Sequence, residues 1–305
     1  MKKLAPIALF VYNRLEHLQQ TILSLQKNNL AKETTLYIFS DAGKNSKDDK
    51  KVEEVRKYLK TIRGFKSVII IERLENFGLA KSIIEGVSEL INKYGKIIVL
   101  EDDLYVSGDF IKYMNEALDF YQDNKDIFSI SGYCAPIKIP VDYRYDVFLF
   151  ERINSWGWAS WKNRWETVDW EMKYFEEFIK NPEQRKLFKR GGKDLCIMLL
   201  KQYQRKINSW AIRFNYACFE QKKLNVYPVG TKVINLGADG SGTNIKSTKK
   251  YKAILNEEAI VFPEKLTVNK TLTENYCRFF EPSIFRQTIN YFKLRLFLFR
   301  KKLAE

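Results

Sequence analysis

The strongest constraint on the fold is an alternation in the first half of the chain, where four short apolar runs are each followed by a segment of helix length. Residues 7–11, 35–40, 68–71 and 97–100 read as strands, and 15–27, 48–61, 79–93 and 108–122 as helices. Turn signals punctuate them, Asp41-Ala42-Gly43 after the second run and Asn76-Phe77-Gly78 after the third. Four strand-helix units in series predict a parallel sheet with right-handed crossovers. No internal repeat or low-complexity linker interrupts the chain.

The fourth run, Ile97-Ile98-Val99-Leu100, is apolar enough to be buried on both faces and leads directly into Glu101-Asp102-Asp103. In open α/β sheets, ligands gather at the carboxyl ends of such strands. Three carboxylates converging there repel one another unless a cation, commonly Mg²⁺ or Mn²⁺, sits between them and an anionic substrate such as a diphosphate. The alternative is a solvated acidic turn that only ends the strand.

With 305 residues, 45% of them hydrophobic, the chain can bury a large core as one elaborated domain or two small ones. It has no run of 18 apolar residues, and Pro6, Asn13 and Arg14 break the start of the chain before a secretory segment could form, so a cytoplasmic chain is expected. Cys134, Cys196, Cys218 and Cys277 are too widely spaced for a zinc pattern or a disulfide framework and read as reduced, packed thiols. The single histidine, His17, is expected on a helix surface, which leaves acid-base and metal chemistry to carboxylates.

The net charge of +15 is unevenly placed. Residues 283–304 contain no acid, while Arg286, Lys293, Arg295, Arg300, Lys301 and Lys302 are basic. Phe285, Ile289, Phe292, Leu296 and Phe299 recur at steps of four and three, which puts them on one helix face. A basic helix with an aromatic face suits the surface of an anionic membrane, lying in the interface without spanning it. Docking on the protein's own core, or on a partner chain, is the competing expectation. Aromatic and basic residues also interleave in 156–170, but with no zinc finger, RNP-like motif or helix-turn-helix, nucleic acid is not an expected partner.

The order of these segments resembles a known family. Pro6-Ile7-Ala8-Leu9-Phe10-Val11-Tyr12-Asn13-Arg14, Phe39-Ser40-Asp41-Ala42-Gly43, Asn76-Phe77-Gly78-Leu79 and Leu100-Glu101-Asp102-Asp103 look like the successive donor-binding motifs of GT-A-fold glycosyltransferases, in the branch of N-acetylglucosaminyltransferase I and its bacterial sugar-transferase relatives. The resemblance covers roughly residues 5–245. It implies an α/β fold, a Rossmann-like, mostly parallel sheet flanked by helices, followed here by the C-terminal amphipathic helix. It also implies that Asp103 coordinates a Mn²⁺ or Mg²⁺ ion bridging the donor diphosphate, with Glu101 and Asp102 beside it and Asp102 near the ribose. Arg14 would face the nucleotide, Asp41 would accept hydrogen bonds from its base, uracil in a UDP-sugar, and Lys81 is a further donor-site candidate.

The second half resembles the acceptor side of the same family. Asn154-Ser155-Trp156-Gly157-Trp158-Ala159-Ser160-Trp161 is similar to its glycine-tryptophan segment, and indole faces stack well on sugar rings. Trp156, Trp158 and Trp210 are the expected acceptor contacts, whereas Trp161, Trp165 and Trp170 are expected to pack in the core. Residues 207–213 resemble a segment in which the family carries an aspartate. This chain has none and carries Asn208 there, and Asn244 stands where relatives often have histidine. Inverting displacement needs a base for the acceptor hydroxyl, and the acids between Gly191 and Asn244 are Asp194, Glu220 and Asp239. Asp194 is the expected base and Asp239 a second catalytic candidate, in the glycine-rich loop over the site.

The resemblance thus implies a metal-dependent, inverting glycosyltransferase that takes a nucleotide-sugar donor and a saccharide acceptor, while the Lys-, Asn- and Ile-rich composition and the basic tail suggest a bacterial enzyme of surface-glycan synthesis, acting on a lipid-linked glycan and peripheral on the inner face of the membrane. Residues 1–250 would form the transferase domain, with 1–125 its nucleotide-sugar half and 126–250 its acceptor half; 251–282 would be an extension and 283–305 the basic helix. A nucleotidyltransferase is the first competitor, though no glycine-rich phosphate loop with a following lysine occurs near residues 8–20. The second is a catalytically degenerate sugar-nucleotide-binding protein at a membrane surface, which the missing aspartate and histidine favour.

Overall fold

The computed structural model describes residues 3–239, 248 and 250–304. The first half runs β1 (Ile7–Val11), α1 (Leu15–Gln26), β2 (Thr35–Ser40), α2 (Ser46–Leu59), β3 (Ser67–Glu72), α3 (Gly78–Tyr94), β4 (Lys96–Glu101), β5 (Leu104–Val106) and α4 (Phe110–Phe120). There follow β6 (Ile127–Ser131), β7 (Val147–Phe150), β8 (Trp158–Trp161), α5 (Lys162–Trp165), α6 (Phe175–Lys180) and α7 (Pro182–Phe188). The chain then continues through α8 (Leu195–Tyr203), α9 (Trp210–Glu220), β9 (Leu224–Pro228), β10 (Val233–Asn235), α10 (Lys270–Phe279) and α11 (Ile284–Ala304). All four expected strand-helix units form, each within two residues of its expected bounds.

Eight strands make one sheet in the order β3-β2-β1-β4-β8-β6-β9-β7. The first four are mutually parallel, β8 enters antiparallel between β4 and β6, and β6 pairs with β9 in parallel, so the α/β fold has the expected mostly parallel sheet flanked by helices. β5 and β10 pair separately as a short antiparallel ribbon.

Alternation along the strands sorts the core into two layers. Ile7, Leu9, Val11, Leu36, Ile38, Ile98 and Leu100 face Leu18, Ile22 and Leu25 of α1, Val55 and Leu59 of α2, and Phe110 and Met114 of α4. Ala8, Phe10, Tyr37, Phe39, Ile97 and Val99 face Ile83, Val87, Leu90 and Ile91 of α3, and Trp210 and Phe214 of α9. Gly86 lets α3 approach closely, since a Cβ there would lie 2.9 Å from the Phe10 ring, itself stacked on Phe39 at 5.0 Å. Gly95, at φ +78°, ends α3 in the left-handed region and donates its N–H to Ile91 O at 2.8 Å. A third cluster, built from α6, α7 and α8 against Ile212 and Tyr216 of α9, also receives Leu294, Phe297 and Leu298 of α11. No helix among the described residues is long and apolar enough to cross a membrane.

β8 overturns two expectations. Trp158 stands opposite Val99 in the middle of the sheet and is 1% exposed, stacked between Trp165 (5.7 Å) and Trp210 (5.1 Å). Trp210 is also buried. Both belong to the core and neither offers an indole face to an acceptor. Trp161 and Trp165 are buried too, with their ring N–H groups donated to Leu118 O and Ser88 Oγ, and Trp170 packs half-buried against Trp165.

Candidate functional site

The parallel register levels the carboxyl ends of the strands. Phe10 lies opposite Glu101 and Val11 opposite Ser40, which brings Tyr12, Asn13 and Arg14, the turn starting at Asp41, and Glu101-Asp102-Asp103 to one edge. Asp102 and Asp103 are buried. Arg14, at the start of α1, is shared between them: Nη1 donates to Asp103 Oδ2 at 3.0 Å and Nη2 donates to Asp102 Oδ1. The other oxygen of Asp102 accepts the Tyr12 N–H at 3.2 Å, and its carbonyl accepts Thr21 Oγ1–H at 2.9 Å. The expected repulsion among the acids is therefore met here by a guanidinium of the chain itself. Arg14 was expected to face a nucleotide, and in this structure it faces the acids.

The electrostatics follow from that crowding. Burial opposes the charge on Arg14, yet Asp102 and Asp103 outweigh it and the guanidinium is held firmly protonated. Burial likewise raises Asp102, against the pull of Arg14. Glu101, half-buried at the end of β4, is pushed up to about 8 by desolvation and by the neighbouring Asp103 and Asp102. Nearby, burial and a hydrogen bond with Asp48 push the Tyr12 hydroxyl up to about 12.

β10 completes the edge. Its pairing with β5 sets Asn235 opposite Leu104, and Leu236 N–H donates to Asp103 O at 2.8 Å. Among the described residues the buried Asn235 Oδ1 has no hydrogen-bond partner. Around Gly237 the groups converge: a Cβ there would lie 2.5 Å from Asp103 Oδ2, 3.2 Å from Asn235 Oδ1 and 3.3 Å from Arg14 Nη1. A carboxylate oxygen beside an orphaned amide oxygen is a hard donor pair that fits Mg²⁺ or Mn²⁺, ions that take few protein ligands and fill the rest of their shell with phosphate and water. No cluster of three or more His, Cys, Asp or Glu suited to a metal occurs among the described residues; Asp103 and Asn235 are a donor pair that could hold one. Sequence reasoning missed Asn235, and it placed Gly237 only within the glycine-rich loop expected over the site. The only signal for Asn235 was a strand, Val233 and Ile234, ending in asparagine shortly before a glycine.

Asp41 has a different partner from the one expected. Its Oδ1 accepts from Ala42 N–H (3.1 Å) and Phe77 N–H (2.8 Å), and its Oδ2 accepts from Gly78 N–H (2.9 Å) and Asn76 Nδ2 (3.2 Å). Four donors fill a carboxylate, so Asp41 ties the 76–78 turn and the start of α3 to the end of β2 and has no free oxygen for a base. Lys81 is exposed, over the Phe77 ring at 3.8 Å and within 4 Å of Glu75 and Glu85, outside the acid cluster.

Asp194 also departs from expectation. Both its oxygens are taken by Arg152, at 2.8 and 3.0 Å, and the guanidinium stacks on Phe280 at 4.4 Å. With both oxygens engaged by one guanidinium, Asp194 has no free oxygen directed at an acceptor hydroxyl, which corrects its assignment as the base. Asp239 ends a 3-10 turn, Leu236–Asp239; its side chain, like the whole of Asn244, lies outside the described residues. Of the expected acceptor tryptophans Trp156 alone is half-exposed, its ring against Tyr133 (4.5 Å) and Tyr251 (5.1 Å). The following Gly157, at φ +63°, places the segment against Leu100 and Val233, beside the acidic edge.

Residues 7–144 match the family described as glycosyl transferase family 2. No protein of curated function matches the chain by sequence. Among solved structures it is similar to the mannosyltransferase PcManGT from Pyrobaculum calidifontis in complex with GDP-Man and Mn²⁺, at 10% identity over 52% of this chain and 45% of that one, TM-score 0.37. It is also similar to residues 1–349 of TarS from S. aureus in complex with UDP, at 12% identity over 75% and 59%, TM-score 0.39, and to the galactosyltransferase LgtC with donor and acceptor sugar analogues, at 12% identity over 70% of each chain, TM-score 0.36. The chain thus spans less than half of the first of these and under two thirds of the second. The residues similar to that family contain β1 to β5, α4 and Glu101-Asp102-Asp103 at the end of β4.

Proposed function

We propose that the chain is a metal-assisted, inverting glycosyltransferase that moves a sugar from a nucleotide-sugar, by preference a UDP-sugar, to a saccharide acceptor. The observation that supports this most is the convergence of Asp103 Oδ2 and the orphaned Asn235 Oδ1 next to Arg14 at the carboxyl end of β4. Asp103 and Asn235 would hold the divalent cation, which when bound stabilises the charge developing on the departing diphosphate. Arg14, held protonated between Asp102 and Asp103, sets a positive charge beside a phosphate at the same edge. Asp102 fixes Arg14 and the start of the β1–α1 loop, and Asp41 fixes the 76–78 turn. Trp156, packed on the buried Tyr133 and next to the half-buried Tyr251, presents aromatic surface to a sugar acceptor. The acceptor in this proposal is a lipid-linked bacterial surface glycan, with the enzyme peripheral on the inner membrane face and α11 directed to anionic lipid.

A second reading, a sugar-nucleotide-binding protein without turnover, is favoured by the engagement of Asp194 with Arg152. The test incubates the full chain with Mn²⁺ and a panel of nucleotide sugars and follows nucleoside diphosphate release and product mass. Turnover of one donor that disappears in Asp103→Asn is the expected result. Binding of a donor with no turnover on any acceptor or water would establish the second reading, and pyrophosphate release from a nucleoside triphosphate would make the protein a nucleotidyltransferase.

A further inference from the structure

Helix α11 has two faces that differ in kind. Leu294, Phe297 and Leu298 pack half-buried on the α6–α8 cluster, Phe297 lying 6.4 Å from Phe175 and 6.2 Å from Tyr203. Lys301 Nζ donates to Glu176 on α6, and Gln287 Nε2 donates to Pro282 O (2.8 Å) and to Glu281 Oε1 (3.1 Å), itself paired with Lys193 ahead of α8, so both ends of the helix are tied to the body. The opposite face carries Phe285, Phe292, Leu296 and Phe299, exposed by 76%, 64%, 51% and 60%, with Leu303 continuing the stripe. At 100° per residue, Arg286, Lys293 and Arg300 line one flank of that stripe and Arg295 and Lys302 the other, all exposed.

We propose that α11 is a preformed lipid platform: held on the body by one face, it lays the other in the plane of an anionic bilayer, with its five flanking cations at headgroup level. This rests on the membrane placement proposed above and adds to it the orientation and the rigid docking. Charge selects the occupant. No acid lies between residues 283 and 304, and a second copy meeting this face would set two rows of five cations against each other. An anionic surface satisfies both flanks while the aromatic stripe enters the acyl boundary. Because the inward face is already packed, binding needs no folding of the segment, and the body is held in one orientation relative to the bilayer.

The experiment uses the full chain in a Cys277→Ser background with an environment-sensitive dye on Leu296→Cys (outward) or Asn290→Cys (inward), mixed with vesicles of phosphatidylglycerol and phosphatidylcholine or of phosphatidylcholine alone. Sedimentation should show binding to the anionic vesicles only, weakening as salt rises. Lys293→Gln, Arg295→Gln, Arg300→Gln and Lys302→Gln together should weaken it by over about a hundredfold, at roughly fivefold for each cation. These residues face solvent, so an unchanged melting temperature serves as the folding control. The dye at 296 should shift to the blue on binding and the dye at 290 should not. Equal shifts at both positions would overturn the docked platform while leaving membrane association standing. Absence of binding to anionic vesicles, or a dimer in light scattering that Phe292→Ser with Phe299→Ser dissolves, would overturn both. Neither readout involves sugar transfer, so failure here is separate from failure of the proposed reaction.

Discussion

Each half of the molecule holds an arginine clamped by aspartate, and the two clamps differ in balance. Arg152 gives both terminal nitrogens to the single carboxylate of Asp194, stacks on Phe280 and donates toward Gly191 O at 3.5 Å. One positive charge meets one negative charge, and the pair is closed. Arg14 is divided between Asp102 and Asp103 while Glu101 stands next to them, so one cation faces three acids. An amide oxygen without a donor lies alongside, and Gly237 leaves open the point on which these groups converge. A buried ion pair alone marks no site, since it serves structure as readily as chemistry. Surplus negative charge with an orphaned acceptor marks a place where a cation is still wanted.

The largest effect should separate the two clamps. Asp103→Asn removes the charged donor from the open clamp and should lower sugar transfer by about a thousandfold, the scale expected when metal stabilisation of the leaving group is lost. Its melting temperature should stay within a few degrees of the parent, because Arg14 keeps Asp102. A variant that keeps normal Mn²⁺-dependent turnover would erase the distinction between the clamps.

For the closed clamp the loss should appear in stability. Asp194→Ala leaves a half-buried guanidinium without its carboxylate and should cost about 2–3 kcal/mol in denaturant unfolding, less than a fully buried pair would. Arg152→Met combined with Asp194→Leu should recover most of it, and transfer per folded molecule should change little. A loss of kcat with intact stability would return Asp194 to the chemistry.

These contrasts follow the line between what the sequence discloses and what it hides. The first half was legible because β1 to β4 are uniformly apolar and each is followed by its own helix, so period and order alone imply the parallel sheet and place the acids at its edge. The second half was not. β8 inserts antiparallel between β4 and β6, and no local pattern shows that Trp158 meets Val99 in mid-sheet while Trp156, two residues earlier, is left half-exposed. Partner saturation is equally invisible in one dimension: Asp41 lies at the expected strand end, but the donors that fill it come from a turn beyond β3. Asn235 joins the acids only through the register of β10 on β5. The outward face of α11 was readable because helical spacing fixes it, whereas the inward face depends on α6 and α8.

An effect of similar size tests whether Asp41 positions the turn. Asp41→Ala strands the N–H groups of Phe77 and Gly78 and leaves Asn76 Nδ2 with Ala42 O alone, and should destabilise by about 2–3 kcal/mol. Amide hydrogen exchange should quicken at Phe77 and Gly78 before it does in the interior of α3. Unchanged exchange there would show that the turn holds without the carboxylate.

The smallest effect concerns the surplus charge itself. Glu101 has an ordinary value of 4.5 and is pushed up to about 8 in the folded chain, by burial first and then by Asp103 and Asp102. The folded state therefore binds its proton more tightly than the unfolded state does. Between pH 4.5 and 8 the unfolded chain has lost this proton while the folded chain still holds it, so this contribution to stability falls as pH rises through that window and levels off above it. Glu101→Gln removes the ionisation and should gain about 1–2 kcal/mol at pH 8.5, a figure reduced for partial exposure to solvent, with no gain at pH 4. Urea unfolding across that range, without added divalent cation, checks the slope. Adding Mn²⁺ should stabilise the parent chain at pH 8.5, because a cation at Asp103 lies beside the ionised Glu101 and offsets the repulsion. An equal pH slope in parent and variant would show that the open clamp carries no surplus charge, and the contrast with Arg152 and Asp194 would then rest on Asn235 alone.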